Sequence, residues 1–352
     1  MSNIEPMSAS GDASDVRFRF LQPDEGAVLS EAIRVAYGDS YDVRWVYDAE
    51  NVSARLASGT YVSCVAETPD GELLCHEGMG LADPGDAVGH SGQAVTMPAA
   101  RGQHVFTRTK RFLMDWARGR GMAGMYSEAT AAHPYSQRAN VELGAHETGF
   151  LLGWIPGSVS NDAAADGHRG RQSAALFYTK LNDGQEREVF APERHREIVK
   201  LTLELCELRG RLAAPPAETA LEPKSDLHVA VDADHNLALI TVDTPGADLE
   251  EAVSAERRHL LHHGLDAVYL DLPLEQPATA LVPDHLERLG VSYAGIFPNS
   301  RCDGDVLRMQ SLHGVEVDGD GISVVSEHGR ELLDYVLGDL PRWQTAADEI
   351  DA

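Results

Sequence analysis

The fold is decided at Thr96-Met97-Pro98-Ala99-Ala100-Arg101-Gly102-Gln103-His104-Val105-Phe106. The apolar run over residues 93–97 is typical of a strand, and it stops at Pro98. After Arg101 and Gly102 an amphipathic pattern begins at Val105 and repeats at helical spacing. The stretch therefore predicts a strand, a tight turn and a helix N-terminus. Such a terminus presents unpaired N–H groups and a positive dipole end, which suit a pyrophosphate, although a plain connection is the alternative interpretation.

A second strand-like run and a short helix follow this turn. The run covers residues 122–129, and the helical segment from His133 to Ala145 ends in Leu143-Gly144. The order of strand, turn, long helix, strand and short helix resembles that of the GNAT superfamily of acyl-CoA-dependent N-acyltransferases, and the resemblance covers about residues 16–181. The resemblance implies an α/β fold built on a mixed sheet, with acetyl-CoA or another acyl-CoA as cofactor.

The same resemblance assigns cofactor contacts to the turn. Backbone groups of the preceding strand are expected to face the pantetheine arm, the N–H groups after Arg101 the pyrophosphate, and the Arg101 side chain a phosphate. Asn140 is expected at the thioester, although a solvent-exposed amide is the alternative. The cofactor-binding candidates are Thr96, Met97, Arg101, Gly102, Gln103, His104, Val105, Phe106 and Asn140.

The chain departs from the family pattern at three positions that bear on function, and at Ala145, which replaces the usual aromatic residue and affects only packing. His104 and Phe106 stand where the family has two glycines that allow close approach of the backbone. Asn140 stands where the family often has a tyrosine that protonates the departing thiolate, and an amide cannot donate that proton. Tyr135 lies on the same short helix but projects from a different face. Two alternatives therefore stay open: a catalytically weak acyl-CoA-binding, scaffold or regulatory protein, and other acyl-CoA chemistry on a natural-product pathway.

Candidate catalytic and acceptor-binding residues surround this junction. Glu128, near the end of a strand, and His133, on the next loop, are candidate bases for the acceptor amine; a surface carboxylate and a structural histidine are the alternatives. Asn140 and Tyr135 complete the catalytic candidates. An aromatic loop follows the first helix and could bind an amine through cation–π contacts, or could simply cover the core. Its substrate candidates are Tyr37, Tyr41 and Trp45.

Composition limits the partners. The chain has 352 residues and a net charge of −27, which disfavours nucleic acid and anionic membranes. Its four cysteines show no CxxC pairing, so neither a metal site nor a disulfide framework is predicted. Residues 1–15 carry no secretory signal and predict a disordered tail in a cytoplasmic protein.

The second half of the sequence repeats the order of the first. Strands, a helix at 248–263, a strand, a helix at 278–290 and two strands follow one another. Before the helix at 248 the segment Thr244-Pro245-Gly246-Ala247-Asp248 offers a carboxylate, which would repel a pyrophosphate. This half is interpreted as a degenerate copy of the same fold that has lost cofactor binding.

The predicted organisation has five parts. They are a tail at 1–15, an N-terminal acyltransferase domain at 16–182, a long helix (192–212) and linker within 191–226, a degenerate GNAT-like domain at 227–315, and a terminal helix with an acidic tail at 316–352. The predicted activity is transfer of acetyl from acetyl-CoA to a primary amine, on a small molecule or a protein, by direct attack in a ternary complex. A homodimer is a further possibility.

Overall fold

A computed structural model describes residues 16–159, 170–282, 286, 289–301 and 304–340. The predicted tails at 1–15 and beyond residue 340, and most of the predicted loop at 157–170, lie outside this range. Within it, the predicted α/β architecture with a mixed sheet is confirmed. No helix among the described residues is long and apolar enough to cross a membrane.

The N-terminal half, residues 16–181, alternates strands and helices much as the hydrophobic periodicity predicts. The Asp48 side chain caps the second helix, because it accepts hydrogen bonds from two amides at the start of that helix. The elements are β1 (Arg17–Phe20), α1 (Gly26–Tyr37), α2 (Ala49–Ser58), β2 (Tyr61–Glu67), β3 (Leu73–Gly80), β4 (Val88–Thr96), α3 (Val105–Gly119), β5 (Gly124–Thr130), α4 (Tyr135–Glu142), β6 (His146–Ile155) and β7 (Gln172–Lys180).

The C-terminal half, residues 226–312, follows a connecting segment and is itself followed by a terminal helix. The connecting segment contains β8 (Arg187–Val189), α5 (Arg196–Leu205) and β9 (Gly210–Leu212). The half itself contains β10 (Asp226–Asp232), β11 (Leu237–Thr244), α6 (Leu249–His262), β12 (Ala267–Pro273), β13 (Ser292–Phe297) and β14 (Val306–Leu312). The terminal helix is α7 (Glu327–Asp339).

Two helix predictions need correction. The helix predicted over 192–212 is α5 alone, because Glu207 takes a positive φ of 50° and the chain then enters β9, which pairs with β8. The helix predicted over 278–290 begins as a short 3-10 turn, Pro277–Leu281, and part of the remaining range lies outside the described residues.

Both halves contribute to a single twelve-stranded sheet, in the order β1-β2-β3-β4-β5-β7-β6-β13-β14-β12-β11-β10. The strands β3-β4-β5-β7-β6 and β10-β11-β12-β14-β13 have the same order and the same parallel and antiparallel pairings. The strand topology of the N-terminal half is thus repeated in the C-terminal half, as the sequence predicts, and the two halves meet through β6 and β13.

The junction between the halves depends on two glycines. Gly149 of β6 pairs with Gly295 of β13, and a Cβ on Gly149 would lie 2.4 Å from the carbonyl oxygen of Ala294. Gln310 bridges the same junction: its amide oxygen accepts from the Leu152 N–H at 2.9 Å, and its amide nitrogen donates to the Phe150 carbonyl at 3.3 Å. The halves also share one apolar core, so they pack as a unit.

A break in strand pairing opens the sheet at one place. β4 and β5 are paired in parallel only between residues 88–90 and 124–126. Beyond this point Gln93 adopts φ 53°, and the register of β4 against β3 shifts between His76 and Gly78. Such a bulge bends the strand. The far ends of β4 and β5 therefore diverge and leave a wedge between them.

Candidate active site

The wedge between β4 and β5 is part of a cleft of about 1400 Å³. Its walls come from both halves of the chain, and α3 and α4 close one side. The turn between β4 and α3 lies at one end, and the inner face of the C-terminal half lies at the other. From Ser91 onwards β4 is paired with β3 but no longer with β5. The edge of its backbone that would bond to β5 therefore faces the cleft.

The turn before α3 carries a run of unused backbone donors. The amides of Gly102 and of residues 104–107 donate no hydrogen bond to any described residue, whereas those of Arg101 and Gln103 bond within the turn. Gly102 has φ 76°, and a Cβ there would meet nothing within 4 Å. His104 takes φ 54°, the left-handed conformation expected of a glycine. These open amides at the start of a fifteen-residue helix form an anion-binding geometry.

The matching turn of the C-terminal half is filled by the chain itself. The amide of Gly246 donates to the hydroxyl of Ser225 at 2.9 Å, and that of Ala247 donates to the Glu222 carbonyl at 2.7 Å. The Asp248 carboxylate accepts from the Ser225 N–H at 2.6 Å. Here the linker before β10 occupies the place that is open in the first turn, and a carboxylate stands beside it.

The narrow end of the wedge contains a buried polar cluster. Lys110 of α3 donates to the side-chain oxygen of Asn140 at 2.6 Å, and the Asn140 amide donates to the Ser127 hydroxyl at 3.1 Å. The Ser91 hydroxyl donates to one carboxylate oxygen of Glu77 at 2.6 Å. The other Glu77 oxygen is buried and receives no hydrogen bond from the described residues. All five side chains line the cleft.

Burial shifts both charged groups of this cluster toward neutrality. Burial lowers the pKa of Lys110, and the charge of Glu77 offsets part of that effect. Burial raises the pKa of Glu77, against the opposing effects of Lys110 and the Ser91 hydrogen bond. A lysine with a lowered pKa gives up its proton more readily than an exposed one.

Glu128 lies further along the cleft, on β5, beside His90 of β4. The His90 Nε2 and a Glu128 carboxylate oxygen are 3.2 Å apart, and the His90 ring stacks on Tyr126 with centroids 4.8 Å apart. Burial alone would raise the pKa of Glu128, but the charge and hydrogen bond of His90, helped by Arg308, lower it. Burial likewise opposes the positive charge of His90, yet Glu128 raises its pKa. The two groups therefore form an ion pair that favours an ionised Glu128.

The C-terminal half contributes its own ion pair to the same cleft. Arg308 of β14 and Asp271 of β12 face each other in the sheet register and form two hydrogen bonds of 2.7 Å. The Arg308 guanidinium lies 4.1 Å above the ring of Phe297. Arg308 is 8% exposed, so its charged guanidinium is almost fully buried.

A third contact joins the halves at the mouth of the cleft. His235, in the turn before β11, lies 2.9 Å from Asp42 of the aromatic loop and 2.8 Å from Asp232. Burial lowers the pKa of His235, but the hydrogen bond and charge of Asp42 and then of Asp232 raise it above its usual value. The aromatic loop is thereby tied to the C-terminal half.

The structure brings many of the predicted site residues together in the cleft. Asn140 is 2% exposed, so the alternative of a solvent-exposed amide is wrong. The residues from the predicted set that line the cleft are Tyr37, Tyr41, Thr96, Arg101, Gly102, His104, Val105, Phe106, Glu128, His133, Tyr135 and Asn140.

Three of the predicted residues lie elsewhere. Trp45 packs edge-on against Tyr61 at 5.1 Å in the core under α1, as expected of an aromatic residue that covers the core. Met97 packs on the same core, and its amide bonds to the Leu74 carbonyl. The Gln103 side chain donates back to the Ala99 carbonyl at 2.8 Å rather than into the cleft.

Sequence reasoning missed the buried charges that line the cleft. Lys110 has a detectable signal, because it interrupts the apolar face of α3 between Val105 and Leu113. Asp271 and Arg308 also have a signal, since each is the single charged residue of a largely buried strand. Only the strand register shows that they face one another.

No protein-family model and no curated protein matches the sequence. Among solved structures, that of yncA, a putative acetyltransferase from Salmonella typhimurium with its cofactor acetyl-CoA, is 19% identical, with a TM-score of 0.38 over 49% of this chain and 97% of that one. A phosphinothricin acetyltransferase of the GNAT superfamily from Sinorhizobium meliloti is 16% identical, with a TM-score of 0.40 over 48% and 90%. The spermidine/spermine N-acetyltransferase SpeG from Vibrio cholerae is 12% identical, with a TM-score of 0.38 over 47% and 95%.

Proposed function

We propose that this protein is an acyl-CoA-dependent N-acyltransferase that transfers an acetyl group to a primary amine. The observation that carries the proposal is the run of unused amides at Gly102 and residues 104–107, placed at the end of a wedge between two diverging strands. This combination provides an anion-binding site, called the anion seat below, and next to it a groove in which one backbone edge of β4 is unpaired.

The residues present fit an acyl-CoA. The open amides and the Arg101 side chain would hold the pyrophosphate, and the unpaired edge of β4 between residues 91 and 96 would bind the pantetheine arm. Gly102 leaves space at the turn, and His104 already has the backbone conformation that the seat requires. When bound, the cofactor supplies an activated acyl thioester.

Glu128 would bind the acceptor amine and take its proton. Its ion pair with His90 keeps the carboxylate charged, so it attracts an ammonium group into the cleft. A carboxylate with a lowered pKa is a weak base, so the amine must already be partly deprotonated in solution. We therefore expect kcat/KM to rise with pH toward the pKa of the acceptor amine, with Glu128 ionised in the free enzyme over this range.

Lys110 would provide the proton that Asn140 cannot. It is held against Asn140 by a hydrogen bond at the narrow end of the wedge, and its lowered pKa favours release of a proton to the departing thiolate. Asn140 orients Lys110, and Ser127 orients Asn140. In this proposal the Lys110 ammonium replaces the tyrosine hydroxyl that the family resemblance leads one to expect.

The C-terminal half would be a copy of the fold that does not bind cofactor. The repeated strand order supports a common architecture, and the linker over residues 222–225 supports the loss, because it accepts hydrogen bonds from the amides of Gly246 and Ala247. This half would instead close the acceptor end of the cleft through Asp271 and Arg308.

The proposal is tested by ligand-dependent thermal unfolding and by product analysis. Acetyl-CoA and CoA should raise the melting temperature, because they bind the folded state only. Incubation with acetyl-CoA and a panel of amines should give an N-acetyl product by mass spectrometry. The variant Glu128→Gln should keep the thermal shift but lose about 10²–10⁴-fold in kcat/KM. No shift with any acyl-CoA would refute the proposal, and a shift without any product would leave the acyl-CoA-binding protein as the better description.

A further inference from the structure

The acceptor end of the cleft lies between the two halves of the chain. Glu128, His90 and Tyr126 line it from the N-terminal half, and Asp271, Arg308 and Phe297 line it from the C-terminal half. A ligand that reaches Glu128 must therefore contact both sides, so its chemistry can be deduced from the groups each side leaves available.

Among the charged side chains of this space, one carboxylate oxygen and one guanidinium nitrogen have no hydrogen-bond partner in the described part of the chain. Glu128 uses one carboxylate oxygen for His90, and its Oε1 receives no hydrogen bond from a described residue. Arg308 uses Nε and Nη2 for Asp271, and its Nη1 donates to no described residue. The two charged groups are close enough that each shifts the pKa of the other in the direction expected of opposite charges.

Each charged group at this end of the cleft already has a partner of opposite charge. His90 pairs with Glu128, and Arg308 pairs with Asp271, with little water around either carboxylate: the Glu128 and Asp271 side chains are 14% and 11% exposed. A ligand with a net charge would therefore add an uncompensated charge to a poorly solvated site, which is costly. A ligand with one positive and one negative group adds none, and it satisfies both free atoms.

The walls beyond these charges are apolar. Trp154 and Ile155 from β6 and Leu239 from β11 line the cleft, and Val306 of β14 lies on the same side as Phe297. Such a surface gains free energy by burying an apolar or aromatic group of the ligand.

We infer that the acceptor is an α-amino acid with an apolar or aromatic side chain and a free carboxylate, recognised between the two halves. Its ammonium group contacts Glu128 Oε1, its carboxylate accepts from Arg308 Nη1, and its side chain lies against Phe297 and Trp154. This inference rests on the proposed acyltransferase function and narrows its acceptor.

The test compares acceptors that differ in one group. L-Phenylalanine, L-phenylalanine amide and phenethylamine share the amine and the ring, and only the first has a carboxylate. We expect kcat/KM for L-phenylalanine to exceed that for either analogue by on the order of 10–100-fold, the range of a hydrogen bond to a charged group. The α-amine of the amide loses its proton more readily than that of L-phenylalanine, so amine protonation alone would favour the amide. A preference for L-phenylalanine therefore cannot come from that difference.

A double variant that leaves the net charge of the protein unchanged tests the role of Arg308. In the double variant Arg308→Met, Asp271→Asn both charges are removed together, and the preference for L-phenylalanine over its amide should fall to near unity. Arg301→Met is the matched control, because Arg301 also lines the cleft but pairs with Asp243 at its mouth. It should keep the preference.

A binding measurement separates this inference from the proposed function. L-Phenylalanine alone should raise the melting temperature of the wild type but not of the double variant. Equal turnover of the three amines would overturn the inference and leave the acyltransferase intact. Failure of every amine to react, with acetyl-CoA still bound, would refute the transfer reaction, and absence of an L-phenylalanine shift in that case would overturn the inference as well.

Discussion

Two turns in this molecule have the same place in the same topology but opposite surroundings. The turn between β4 and α3 leaves the amides of Gly102 and residues 104–107 without protein partners. The turn between β11 and α6 gives its amides to Ser225 and Glu222 and adds the carboxylate of Asp248. One turn is open to an anion, and the other is already occupied by the chain.

The difference shows that strand order does not determine whether the amides of such a turn are open to a ligand. Both turns follow a strand paired in parallel with the next, and both begin an amphipathic helix. What separates them is a linker of a few residues that fills one anion seat. Availability of backbone donors is therefore the property to test, and a substitution in either turn tests it.

The largest effect is expected from making the first turn resemble the second. Gly102→Asp places a carboxylate at the open seat, in a left-handed position that Asp tolerates. Repulsion of a pyrophosphate by a nearby charge is worth a few kcal/mol, so acetyl-CoA affinity should fall about 100-fold or more. Gly102→Asn is the matched control, since it has the same shape without the charge, and it should bind nearly as the wild type does. Equal losses in both variants would contradict the electrostatic explanation.

A smaller effect is expected from loosening the second turn. Ser225→Ala removes the hydroxyl that accepts from the Gly246 amide and should lower the free energy of unfolding by about 1 kcal/mol. No second ligand should bind, because the Ala247 amide still donates to Glu222 and Asp248 remains. Chemical denaturation measures the first expectation and titration with acetyl-CoA the second. Binding of a second acetyl-CoA by this variant would refute the view that the second turn is blocked by its own linker.

The smallest effect is expected at His104. A left-handed conformation costs an ordinary residue about 1–2 kcal/mol, whereas glycine adopts it freely but loses more entropy on folding. His104→Gly should therefore stabilise the protein by a few tenths of a kcal/mol up to about 1 kcal/mol, with acetyl-CoA binding kept. Gln103→Gly, at a neighbouring position without positive φ, should destabilise it. A clear loss of acetyl-CoA binding in His104→Gly would show that the imidazole itself contacts the ligand.

Local sequence signals predicted most of the elements but not their limits. The turn at Gly102 was predictable because apolar periodicity changes from strand to helix across it. The helix predicted to reach residue 212 ends at Leu205, because a positive φ at Glu207 and pairing of β9 with β8 override the apolar pattern. Propensity is outweighed here by tertiary pairing.

The candidate site was only half predictable, for a similar reason. Glu128 and Asn140 were identified from their place relative to one strand and one helix. Their partners His90 and Lys110 come from other elements, and Arg308 comes from the other half. Contacts between distant segments depend on sheet register and on the join at Gly149 and Gly295, which no local pattern encodes.

Calorimetric titration of the full chain with acetyl-CoA, alongside Gly102→Asp, tests the central claim most directly. The account predicts a single binding site per chain, at the first turn, with binding strongly weakened in the variant. Two sites in the wild type, or binding that Gly102→Asp leaves unchanged, would contradict the assignment of the open turn as the cofactor seat.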